Sequence, residues 1–259
     1  MAQVFSVPIS FEFRKTKAKW REMESRIVGL SWDAFSSSSW KLRAVTAGRG
    51  PRVSADLSLD VVPSRLWKQC DAAVDEGDPD DWDDAVADIC SDFRPSFLVA
   101  SIQDKEDEDG SIPGSIPADA WQLRDDFLRV TPDAKSVLGL LNQWGRWDDL
   151  VAYTLREILG FREIVRRALL SPPEDWLSEE HWTFDLDQKS EYPYITMETV
   201  KCKSAIRATI TMDMLRQVKF ETCARPDCGQ PFPIMSKHKR KYCSQYCGHL
   251  ESVRRGRAK

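Results

Sequence analysis

The sequence predicts an α+β chain: a large, mainly helical domain with a few antiparallel strands over residues 1–220, followed by a small module over residues 221–259 organised by four cysteines. Three observations carry that prediction. Apolar and polar residues alternate in short windows through the first part of the chain, the signature of half-buried strands. Over residues 148–170 the apolar spacing becomes helical and forms a broad stripe. Near the end, four of the seven cysteines fall in two close pairs, Cys223 with Cys228 and Cys243 with Cys247.

Residues 4–13 put Phe5, Val7, Ile9, Phe11 and Phe13 on one face of a strand. Pro8 places that strand near an edge, because proline has no N–H for a ladder. Residues 17–30 have helical composition, and residues 40–47 are predicted to form a second strand. Gly48, Gly50 and Pro51 break the chain before a third strand over 54–62, where Ala55, Leu57, Leu59 and Val61 alternate. Nine acids and no base lie between Cys70 and Cys90, where Gly77 and Pro79 separate two short helical pieces. Residues 94–102 read as another strand and 104–115 as a polar loop.

A helix over 117–130 begins at Pro117, whose fixed φ suits a first turn, and Thr131-Pro132 caps and opens the next. The helix over 148–170 carries a stripe of Leu150, Val151, Leu155, Ile158, Leu159, Phe161, Ile164, Val165, Ala168 and Leu169. It turns Arg156, Glu157, Arg162, Glu163, Arg166 and Arg167 outward, and Ser171-Pro172-Pro173 ends it. Residues 182–186 and 194–200 are predicted to form a hairpin. A helix over 203–218 then leads straight into the cysteine module, so the boundary falls near Phe220 with little room for a linker.

A chain of 259 residues with 42% apolar content has enough material for a sizeable core. No apolar run is long enough to cross a bilayer, and the N-terminus lacks the pattern of a secretion signal, so a soluble, cytoplasmic protein is expected. Cys70, Cys90 and Cys202 stand alone, which fits a reducing compartment and a packing role. Gly48-Arg49-Gly50 lacks the Lys-Ser/Thr of a phosphate loop, and Gly29-Leu30-Ser31-Trp32-Asp33 lacks the second glycine of a nucleophile elbow. Glu179, Glu180 and His181 are adjacent instead of at helical metal-binding spacing. The ten tryptophans read as core. With no local catalytic motif the large domain is read as non-catalytic, an enzyme with a targeting finger being the alternative.

The spacing C-x4-C, fourteen residues, C-x3-C supplies two thiolates from each of two short loops. A tetrahedral zinc ion needs such a set of four soft ligands. Cys223, Cys228, Cys243 and Cys247 are therefore predicted to bind zinc, with disulfide pairing as the alternative. Pro226 and Gly229 suit a tight turn around the metal, and Phe232 gives a very small module something apolar to bury. Ser244 is a candidate N-cap for a short basic helix from about Gln245. A knuckle, a hairpin and a helix supplying the last ligands make a treble clef. His238 and His249 are spare ligand candidates that four cysteines leave unneeded.

The matching residues are Cys223-Ala224-Arg225-Pro226-Asp227-Cys228-Gly229, Phe232, Ser236, a basic run, an aromatic before Cys243, Ser244, Cys247-Gly248 and an Arg-rich end. In these the last seventh of the chain resembles the CGNR-type zinc finger of bacterial proteins regarded as transcription regulators. In that family the finger follows a stress-response regulatory domain. Three residues separate the last two cysteines here where the family has four, and His249 and Leu250 stand where it has Asn-Arg. The Tyr-Cys-Ser-x-x-Cys string also occurs in treble-clef fingers that bind proteins.

Charge divides the chain at the same boundary. From Cys223 onward there are nine Lys and Arg against two acids, which leaves 28 basic and 39 acidic residues upstream. A Zn(Cys)4 centre removes about two of the module's positive charges. The remainder suits phosphate contacts through Lys237, Lys239, Arg240, Lys241, Arg254, Arg255 and Arg257. The expected partner is DNA, with an acidic protein as the alternative, and the acidic large domain is expected to sense a signal or to dimerise.

Overall fold

The computed structural model describes residues 9–33, 39–46, 54–57, 64–76, 81–93, 95–102, 115–148, 152–173, 176, 183–187, 194–234 and 240–257. Pro8, residues 48–51, 77–79, 104–114 and 179–182 lie outside them, and so do the expectations placed there. The fold is α+β. Strands β1 (Ile9–Lys15), β2 (Ala18–Asp33), β3 (Ser39–Thr46) and β4 (Ser54–Leu57) precede helices α1 (Ser64–Glu76) and α2 (Trp82–Ile89). Next come β5 (Ser96–Ile102), β6 (Ile116–Ala118), α3 (Ala120–Arg129), α4 (Ala134–Trp144), β7 (Ala152–Thr154) and α5 (Leu155–Leu170). The predicted hairpin is β8 (Thr183–Asp187) with β9 (Tyr194–Thr199), and α6 (Cys202–Leu215) follows it.

Five antiparallel strands form one sheet in the order β4-β3-β2-β5-β7. The strand β5 is buried on both faces. Leu98 and Ala100 enter a main core with Trp20, Phe127, Trp147, Phe161 and Ile206, while Phe97 and Val99 enter a second core with Ile27, Ala44 and Val86. Helices α3 to α6 cover the first side, and α1 and α2 the second. Such a two-sided position explains why β5 reads as an almost continuous apolar run instead of an alternating one. Cys70 and Cys90 meet in the second core, both buried, with their Sγ atoms 3.7 Å apart as free thiols. Cys202 is also buried.

The segment 17–30, predicted helical, forms most of β2. Its Lys, Glu, Arg and Met content favours helix, but that preference is weak beside hydrogen bonding on both edges. Residues Ala18 to Glu24 pair with β5, and Ser25 to Asp33 with β3. At the handover both the amide and the hydroxyl of Ser25 donate to the carbonyl of Pro95, at 2.9 and 2.7 Å. The register shifts between Ile27 and Gly29, the bulge that glycine commonly marks in a strand. The sheet is thus more extensive than the sequence indicated.

A second sheet has the order β6-β1-β9-β8. The strand β1 is antiparallel to β6 over Phe13–Lys15 and parallel to β9 over Ile9–Phe13, so it is internal only at its C-terminal end. Pro117 lies in β6, at the sheet's edge, instead of opening a helix. The helix α3 starts after Asp119, whose carboxylate accepts the amides of Trp121 and Gln122. Likewise Asp133, not Thr131, caps α4, and the Thr131 hydroxyl donates to it. The stripe of residues 148–170 resolves into β7 and α5, joined by a capping box between Thr154 and Glu157. Arg162, expected outside, is 9% exposed because its guanidinium donates to the carbonyl of Val130, whereas Ile164, expected on the stripe, is exposed.

The helix α6 is buried around nearly its whole circumference. Thr209 and Thr211 return their hydroxyls to the carbonyls of Ile206 and Arg207, which satisfies them without water. The guanidinium of Arg207 lies over the rings of Phe161 and Trp176. Because α6 is fixed in the core, the module that leaves its C-terminal end starts from a rigid base.

Candidate metal centre

After α6, Gln217 takes a left-handed turn with φ 54°, and the amide of Val218 donates to the carbonyl of Asp213. The strands β10 (Phe220–Thr222) and β11 (Pro231–Pro233) then pair antiparallel, and the first two cysteines lie between them. Cys223 N–H donates to the Gln230 carbonyl, and Cys228 N–H to that of Arg225, each at 3.0 Å. Gly229, with φ 57°, makes the left-handed step that closes this knuckle. Cys243 lies two residues before α7 (Gln245–Arg257), and Cys247 lies in its first turn. Ser244 caps that helix as expected: its hydroxyl oxygen accepts the amide of Cys247 at 3.2 Å. Gly248 lets the helix approach Tyr242, since a Cβ there would sit 3.3 Å from the ring.

The four Sγ atoms all lie within 4.8 Å of one another. Cys228 and Cys243 are separated by 3.6 Å, Cys243 and Cys247 by 3.4 Å, and Cys228 and Cys247 by 3.7 Å. A tetrahedral ion with metal–sulfur bonds of about 2.3 Å sets its sulfurs about 3.8 Å apart, so this cluster is the right size to hold one metal ion. All four are free thiols, not disulfides. Phe232, buried as expected, supplies the module's apolar core together with the cysteines and Tyr242. The knuckle and the helix of the expected treble clef are present; residues 235–239, where a further hairpin would fall, lie outside the described residues. His238 is among those, and exposed His249 is not part of the cluster.

The electrostatics favour a bound cation. Burial alone would raise the Cys223 thiol, but the amides of Cys243 and Arg225 point at its sulfur and bring it below its ordinary value. Burial pushes Cys228 up, and burial with the adjacent thiols pushes Cys243 up, since each further thiolate repels those already formed. Arg225 stands beside the centre with its side chain 15% exposed. Burial opposes its charge, yet the negative groups of Cys247, Asp227, Cys228 and Cys223 raise its pKa above the ordinary value. Its Nε lies 2.9 Å from Asp227, and its buried Nη1 has no hydrogen-bond partner. A guanidinium so placed offsets part of the excess charge that four thiolates leave on a divalent metal.

The basic residues singled out for phosphate contacts are not equivalent. Lys237 and Lys239 lie outside the described residues. Arg240 donates to the carbonyls of Tyr242 and Cys243, and its guanidinium lies 5.6 Å from the centroid of Phe232, so it braces the ligand loop. Lys241 is exposed, and its carbonyl accepts the amide of Ala224. Arg254 and Arg255 both bond to Glu251, while Arg257 is exposed in the last turn. Glu251 escaped the sequence reading, although its positions three and four residues before these arginines were a usable signal. Hydrogen bonds from Arg254 outweigh burial and, with those from Arg255, hold its carboxyl at about 2.

The module is seated on the large domain. Its strands β10 and β11 pack against α5, and the Arg124 guanidinium lies 5.5 Å from the ring centroid of Phe220. No family model, no curated protein and no solved structure matches the chain. The class defined here is therefore structural: an α+β domain carrying a four-cysteine, metal-sized cluster on a basic C-terminal helix. Among the described residues, no helix is long and apolar enough to cross a membrane.

Proposed function

We propose that the four cysteines hold zinc and that the module is the DNA-contacting finger of a transcription regulator. The carrying observation is that the cluster fixes the base of a helix whose far end displays Arg254, Arg255 and Arg257. The Arg254 and Arg255 side chains are 64% and 68% exposed even while bound to Glu251. Bound zinc would supply a rigid cross-link and no reaction. The protein's own residues then do the work: Glu251 orients two guanidinium planes, and Lys241 and Arg257 add charge on either side. Contacts of this kind position a duplex through phosphates without reading sequence. The acidic large domain repels DNA elsewhere and carries the sensing or dimerising role.

One observation favours a second reading. Tyr246 and Val253 on α7 are 66% and 38% exposed, an apolar surface that suits a protein contact with an acidic rim. Fluorescence anisotropy of random duplex DNA, titrated with the zinc-loaded chain across a salt series, separates the two. The regulator reading expects binding that weakens with salt at a log-log slope of about −4.5, for about five neutralised phosphates. The Cys228→Ser chain should lose both its zinc and that binding while keeping the helix content of its large domain. Absence of binding at low salt overturns the DNA reading in favour of the protein-contact one.

A further inference from the structure

A buried N–H group without an acceptor costs free energy, so each one in a folded protein needs an explanation. Arg225 carries two of them. Its Nη1 is buried with no hydrogen-bond partner, and its Nε, 2.9 Å from a carboxylate oxygen of Asp227, makes an ion contact without being aligned for a hydrogen bond. Asp227 stands on the solvent side, its side chain 74% exposed against 15% for that of Arg225. Ion pairs with so exposed a partner contribute little. The carboxylate therefore does not account for a guanidinium drawn into the module.

The backbone fixes where that guanidinium reaches. The carbonyl of Arg225 accepts the amide of Cys228 at 3.0 Å, and its own amide points at the sulfur of Cys223. Arg225 is thus built into the first ligand knuckle, between two of the four cysteines. From there its charge is felt by Cys247, Cys228 and Cys223 as well as by Asp227. A neutral thiol is a weak acceptor, whereas hydrogen bonds to an anionic acceptor are about twice as strong as neutral ones. Sulfurs ionised by a bound metal are the acceptors that these N–H groups lack.

We propose that Arg225 is a positioning residue of the cysteine centre, its guanidinium donating from Nη1 to a ligand sulfur and so retaining a divalent ion that four thiolates leave with a net charge of about −2. This role rests on the reading that the cluster holds zinc, and it adds a hydrogen bond to the ligands from a residue that is not one of them. Lysine is a poor substitute, because its ammonium is a point charge without the planar fork that faces Asp227 and the sulfurs at once.

The test is a competition titration of the full zinc-loaded chain with a zinc chelator. Arg225→Met keeps the length and apolar stem of the side chain but removes its charge and donors, and should weaken zinc binding about 10–100-fold, the usual cost of losing an outer partner of a metal ligand. Arg225→Lys should recover part of that loss. Cobalt(II) in place of zinc separates this role from simple bracing of the knuckle, since losing an N–H···S bond moves the sulfur-to-cobalt absorption band to longer wavelength in Arg225→Met. Zinc held equally well by the native and Arg225→Met chains, or a cobalt band that does not move, overturns the role of Arg225 and leaves the metal reading standing. A native chain that binds neither ion overturns both.

Discussion

Glu251 holds Arg254 with both carboxylate oxygens, Nε to Oε2 at 2.8 Å and Nη2 to Oε1 at 2.9 Å, and the same Oε1 also accepts Arg255 Nε at 2.9 Å. One buried acid thus orders two arginines on the exposed end of α7. Its carboxyl, at about 2, lies below the ordinary value of about 4.3. The sign follows from that depression: the contribution is complete above about pH 4.3 and is lost as pH falls towards about 2.

Glu251→Gln makes the same change at neutral pH, where any bound metal is retained. Two outcomes are expected. Amide exchange across α7 should speed up, because the ordering charge is gone. In the DNA titration the salt slope should steepen by about 0.9, as one guanidinium is no longer neutralised internally. An unchanged slope would mean that neither arginine meets phosphate.

Arg124 and Asp213 form a pair at 2.6 Å with side chains 5% and 9% exposed, and Trp121 donates to the second carboxylate oxygen at 3.1 Å. Asp213→Ala leaves the guanidinium buried without its counter-charge, so urea denaturation followed by tryptophan fluorescence should report a loss of about 3–5 kcal/mol. Asp213→Asn keeps a single acceptor oxygen, which serves Arg124 or Trp121 but not both, and should recover only part of that loss. Because Arg124 also underlies Phe220, both changes should loosen the seat of the cysteine module.

Burial first, and then the neighbouring Cys90 thiol, push Cys70 up to about 12. A thiol raised in the fold contributes its stability in full below the ordinary value of about 8.5 and loses it as pH rises towards about 12. The melting temperature should therefore fall across that alkaline range, and fall less in Cys70→Ala. At about pH 8, iodoacetamide should spare both thiols in the folded chain and modify both in urea.

Much of the cysteine module was legible because its chemistry is local. Cys223 to Cys228 and Cys243 to Cys247 are ligand spacings, Gly229 is a left-handed turn, and Ser244 precedes a helix. The strands β3 and β5, the β8–β9 hairpin and α6 were legible for a related reason, since apolar periodicity is read over a single element. The failures came where a partner distant in sequence decided the outcome. Residues 17–30 look helical until β3 and β5 bond to both edges, and Arg162 looks exposed until the Val130 carbonyl reaches it.

By itself the sequence determined the α+β class, the four cysteines and the charge contrast between residues 223–259 and the rest, because composition and short-range spacing contain all of these. Only the tertiary structure decided which arginines are tied to Glu251, that Arg225 stands beside the thiols, and that Arg124 underlies Phe220. Each of those depends on side chains brought together by packing, and packing is a property of the surfaces that elements share.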